Sequence, residues 1–209
     1  MPRLADPARA MALATCAWIV LAAPATRAWL ESSMALHMLV QLPLLAVISF
    51  VLGAAWLRAR PGSAVGRALD FVQTFNRGGV TGIVAASFVM VLWMLPRFLD
   101  LARLDAAVDA IKFVSVPAAG LAVALSWPRC PAIARGVVHL EVIATLFRFG
   151  WGYLATGERL CLAYLVDDQQ RAGELLLWLG AAYAVAAAWR PVFGYAPLRR
   201  RAINSETVP

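Results

Sequence analysis

The stretch from Ser33 to Arg58 reads SMALHMLVQLPLLAVISFVLGAAWLR. No residue from Met34 to Leu57 carries a formal charge. About 20 apolar residues in a helix cross a hydrocarbon core of roughly 30 Å, so this run is long enough to span outright. No water reaches backbone groups at that depth, which forces the run to be helical.

Outward from this stretch the pattern recurs. Apolar runs occupy residues 10–24, 79–95, 106–127, 133–154 and 172–189, and most are closed by proline: Pro24, Pro96, Pro128 with Pro131, and Pro191. The 209 residues are 62% hydrophobic and 15% charged, with a mean hydropathy of +0.71. A soluble domain is roughly half apolar and a quarter charged, so one aqueous core cannot hide this excess. The expectation is an all-α, polytopic transmembrane bundle of about six helices, forming a single membrane domain over residues 1–209.

The net charge of +7 comes almost wholly from arginine, Lys112 being the only lysine. These cations flank apolar runs, as in proteins that fix their orientation in a membrane, so lipid rather than nucleic acid is the expected partner. Arg3, Arg9, Arg58, Arg60, Arg67, Arg77, Arg129, Arg135, Arg190, Arg199, Arg200 and Arg201 fall on one side, 12 of the 19 basic residues. Arg27, Arg97, Arg103, Arg159 and Arg171 fall on the other, joined there by Glu31, Asp100, Asp105, Glu158, Asp167 and Asp168. The excess of positive charge inside then puts both termini in the cytoplasm, for a multi-pass protein of a bacterial inner membrane. The first run also has the form of a secretory signal. It is read as a retained helix, because Ala25-Thr26-Arg27-Ala28 is a mediocre cleavage site.

The start of the second run holds the most informative side chains. On a regular α-helix Met34, His37, Met38 and Gln41 stand at i, i+3, i+4 and i+7 and share one face. Thioether and imidazole donors together suit a soft ion, Cu(I) first. The same spacing also fits a packing face in which methionine fills gaps and histidine bonds a neighbouring helix. Spacing leaves both readings open.

Asp105, Asp109 and Lys112 lie at i, i+4 and i+7 on the fourth run, and an Asp109–Lys112 pair is the simplest way to hold such charges there. Asp167-Asp168-Gln169-Gln170, followed by Gly173, reads as a capped helix entry beside a close helix approach. Cys16, Cys130 and Cys161 have no spacing that marks a disulfide framework or a cysteine metal site. His37 and His139 sit near opposite ends of their helices, too far apart to be axial ligands of one haem. No nucleotide-binding, metalloprotease or nucleophile-elbow motif occurs, so no enzyme is expected.

Three segments together resemble the CtaG-like cytochrome c oxidase assembly proteins. They are Ser33 to Met38 with Pro43-Leu44-Leu45; Trp93 to Pro96 with Asp100 and Ser126-Trp127; and Asp168-Gln169-Gln170 with Gly173 and Trp178. The blocks fall in the family's order and cover most of residues 31–190. The resemblance implies a non-enzymatic protein that supplies copper to a respiratory oxidase or related cuproprotein, and it reaches His37, Met38, Asp168 and Gln169. The shared helical face adds Met34 and Gln41 to His37 and Met38 as expected metal residues. Asp168 and Gln169 would form a polar surround; Asp100, Asp105, Asp109 and Lys112, read from their positions and not from the resemblance, are further candidate polar residues. Gln41 stands where the family's HMxxH has its second histidine. Two other functions fit the residues: an accessory subunit of a larger respiratory or oxidation complex with no metal of its own, and a small transporter lined by Asp105, Asp109 and Lys112.

Overall fold

The computed structural model describes residues 6–59, 67, 70, 71, 73–157, 160, 161 and 163–193. The described residues are mainly helical, with no strand among them. The charge assignments made to Arg3, Arg60, Glu158, Arg159, Arg199, Arg200 and Arg201 lie outside the described residues.

Helix α1 (Pro7–Ala22) is capped by Asp6, whose carboxylate accepts from the Ala8 amide, and it turns through 70° at Ala23 into the short α2 (Pro24–Leu30). The second span begins as α3 (Met34–Leu36), widens into a π turn at His37–Gln41 and continues as α4 (Leu42–Ala59). Pro43 gives the physical reason. A proline ring clashes with the carbonyl four residues back and supplies no N–H, and a locally wider turn relieves both defects.

Helix α5 (Val80–Trp93) bends by 73° into α6 (Pro96–Leu104), which opens on proline and buries Leu99, Asp100 and Ala102. Helix α7 (Ala106–Ser126) is capped by Asp105, which accepts from the amides of Ala107 and Val108. Helices α8 (Ala132–Ala155) and α9 (Val166–Phe193) complete the order.

Three described helices are long and apolar enough to cross a membrane: Met34–Arg58, Ala106–Arg129 and Val166–Trp189. The number becomes five if each bent pair is one span. Two connections expected as loops are therefore short helices, α2 and α6. They lie across the same end of the bundle. The last helix starts at Val166, six positions before the expected 172, because Asp167 and Asp168 occupy its first turn, where carboxylates meet the positive end of the helix dipole.

Close approaches fix the helix neighbours. A Cβ on Gly120 of α7 would collide with the carbonyl of Ala46 on α4, so only glycine permits that crossing. Gly173 of α9 lies against Gly150 of α8 in the same way, where a Cβ would stand 3.0 Å from the Gly150 oxygen. This is the close approach expected at Gly173. The α4–α7 crossing carries Lys112 toward the π turn.

Candidate functional site

A buried polar cluster forms where α2, the π turn and the first turns of α7 meet. His37, Gln41 and Lys112 are fully buried and Asp109 nearly so. The Lys112 ammonium lies 2.7 Å from Glu31 Oε1, 2.9 Å from Asp109 Oδ1, 3.1 Å from His37 Nε2 and 3.4 Å from Gln41 Oε1. Gln41 Nε2 in turn donates to Glu31 at 3.1 Å. Arg27 pairs with the other oxygen of Asp109 and stacks over Phe113. Two cations thus face two carboxylates, which is how charge is tolerated inside a span.

The direction of the hydrogen bonds follows from the donor inventory. An ammonium can only donate, so Nε2 of His37 is the acceptor and its proton sits on Nδ1. Nδ1 faces the Tyr164 hydroxyl at 2.8 Å. Tyr164 packs beneath the guanidinium of Arg103, 5.4 Å from the ring centroid, and burial raises its phenol above the ordinary value. The result is a continuous chain from the carboxylates through Lys112 and His37 to Tyr164.

The four residues expected on one face have separate partners. Met34 Sδ lies 3.9 Å from Cys161 Sγ, and Met38 Sδ lies 3.6 Å from the Tyr153 hydroxyl. His37 and Gln41 belong to the lysine cluster. The regular α-helical phase that would align all four is interrupted by the π turn, whose hydrogen bond runs from the Leu42 amide to the His37 carbonyl. No group of three or more His, Cys, Asp or Glu side chains suited to a metal ion occurs among the described residues.

The other predicted polar residues divide by role. Asp109 and Lys112 do pair. Asp105 is exposed and serves as the cap of α7. Asp100 accepts from the Ala163 amide at 3.0 Å, and Gln169 accepts from the Leu160 amide at 2.9 Å while donating to the Tyr153 carbonyl at 3.3 Å. Both therefore hold the connection between α8 and α9 against the bundle. Asp168 reaches the Ser33 hydroxyl at 3.5 Å, at the lip of the second span. His139 bonds Tyr183 at 2.7 Å.

Cys161, Tyr153, Tyr164 and Arg27 were not selected from the sequence. Tyr164 is 127 positions from His37, and no local pattern links them. Glu31 carried a weak signal, as an acidic residue directly before the second span.

Fold and site together define a class: a multi-helix chain with several helices able to cross a membrane and a buried ionic cluster at one end. Comparison with family models, curated proteins and solved structures gives no match for this chain.

Proposed function

We propose that this is a six-span, non-enzymatic protein of a bacterial inner membrane, with both termini cytoplasmic, that handles Cu(I) for a respiratory oxidase or another cuproprotein. The sixth span in this reading is α8, whose 24 residues reach about 36 Å and cover the hydrocarbon core despite Arg135, Glu141 and Arg148.

The observation that carries the copper reading is the sulfur pair of Met34 and Cys161, both essentially buried and 3.9 Å apart. Thiolate and thioether donors select Cu(I). A metal–sulfur bond is about 2.3 Å for zinc, so two sulfurs at that separation can reach one ion in a bent arrangement. His37 does not fit the role, since Nε2 is taken by an ammonium that would repel a cation and Nδ1 by Tyr164. Gln41 does not fit either, as its amide bridges Glu31 and Lys112. The donors of the proposal are Met34 and Cys161, with Met38 beside them in the same apolar core.

Competition against a Cu(I) chelator, with wild type, Cys161→Ala, Met34→Ala and His37→Ala, tests the reading. Weaker binding in the first two variants, with His37→Ala unchanged, is expected. Equal, weak binding by all four proteins would overturn it.

The accessory-subunit reading has its own support. Glu141 and Arg148 pair at 2.7 Å near the middle of α8, with side chains 51% and 65% exposed. Charges facing lipid at that depth are costly, and a partner's helix would cover them. Stable co-purification with an oxidase complex and no metal in the isolated chain would favour this second reading.

A further inference from the structure

Arg27, Glu31 and Asp109, the outer members of the lysine cluster, line a cleft of about 650 Å³. Helices α1 and α7 both pack against α4, and the cleft opens between them beneath α2 and α6. Its volume falls within the range of small-molecule sites. Its two ends differ in chemistry. Trp18, Ala110 and Phe113 form an apolar slot. On the same two helices Val20, Ile111 and Val114 are between 58% and 70% exposed. At the other end Arg27 and Arg103 line the cleft together with Glu31 and Asp109.

The charges at the polar end do not balance. Lys112 and Arg27 are matched by Glu31 and Asp109. Arg103 is the remaining cation. It donates to the Glu31 backbone carbonyl and stacks on Tyr164, but among the described residues it pairs with no carboxylate. Asp105, the nearest acidic residue along the chain, has its carboxylate on the amides of Ala107 and Val108. Arg27 adds positive charge to the same wall with its side chain one-third exposed, while its Nε is buried and faces Glu31 at 3.9 Å. A guanidinium presents five donors in a planar fork that matches the geometry of a phosphate.

We infer that the cleft binds the headgroup of an anionic phospholipid, its phosphate on Arg103 beside Arg27 and the first part of an acyl chain in the slot of Trp18, Ala110 and Phe113. A membrane provides this ligand at all times on either face, and a guanidinium meets its phosphate in a matching planar fork. The site is distinct from the sulfur pair, and neither depends on the other.

The test is lipid retention by the intact protein, counted by native mass spectrometry after delipidation and incubation with phosphatidylglycerol or phosphatidylcholine. Both lipids bring a phosphate to Arg103, but only phosphatidylcholine adds a trimethylammonium that Arg27 and Arg103 repel, so wild type retains phosphatidylglycerol about tenfold better, roughly 1.4 kcal/mol. Arg103→Gln, at an exposed position, removes that preference, and Arg103→Lys restores part of it. Ala110→Trp, also exposed, fills the slot and abolishes retention of both lipids without changing any charge. Millimolar inorganic phosphate leaves the lipid bound. Equal retention of the two lipids by wild type, an unchanged preference in Arg103→Gln, or full displacement by inorganic phosphate would each overturn the inference.

Discussion

The Lys112 ammonium and Nε2 of His37 lie 3.1 Å apart with both side chains fully buried. The pairing requires an uncharged imidazole, and it places the only lysine of the chain where four acceptors converge. The cluster is thus organised around the ammonium.

Replacing that ammonium should leave two carboxylates facing each other. Lys112→Met is expected to destabilise the protein by about 3–5 kcal/mol, the range for removing one partner of a buried ionic group. The combination with Glu31→Gln should recover much of the loss, because Asp109 then faces Arg27 as one carboxylate against one cation. Unfolding titrations in mixed micelles read both values. A single variant as stable as wild type would show that water reaches the cluster.

The α4–α7 crossing depends on Gly120. Alanine there forces the two helices apart, with an expected cost of about 1–3 kcal/mol from overpacking. Gly136 on α8 has nothing within 4 Å of a built Cβ, so Gly136→Ala serves as the neutral control. Thermal melts of the two variants should separate clearly.

Gln169 holds the α8–α9 connection. Gln169→Ala leaves the Leu160 amide without its side-chain acceptor in a half-buried setting, at a cost of about 1–3 kcal/mol. Amide exchange at Leu160 should accelerate while exchange within α4 and α7 stays the same. Uniform acceleration throughout would mean that the residue stabilises the whole bundle instead.

Tyr164 sets an alkaline limit. Its phenol is raised by burial, so the folded state holds the proton more tightly than the unfolded state does. The stabilisation is fully present below the unfolded value of about 10 and is lost as pH rises beyond it. Stability should therefore be flat in this respect through neutrality and fall above about pH 10. In Tyr164→Phe that alkaline decline should be smaller, which pH-dependent melts would reveal.

The helical, lipid-adapted character was legible because it rests on local composition: a run such as Met34–Leu57 has no other stable state in a membrane. The Asp109–Lys112 pair was legible for the same reason, since residues three apart on a helix meet without help from the rest of the fold. The phase of the second span was not. Pro43 was visible, but whether the strain it creates becomes a kink or a π turn depends on the helices packed around it. The bends after α1 and α5 were marked by Pro24 and Pro96, yet the short helices beyond them were too brief to show a period of their own.

By itself, then, the sequence determined the long helices, their approximate ends and the residues able to carry charge, because each follows from neighbours a few positions apart. Only the tertiary structure decided which of them meet. It brought Cys161 to Met34 across 127 positions, Lys112 to His37 across 75 and Tyr164 to the same imidazole. Such pairings depend on which helix faces pack together, and the close crossing at Gly120 and the π turn at His37–Gln41 make that choice.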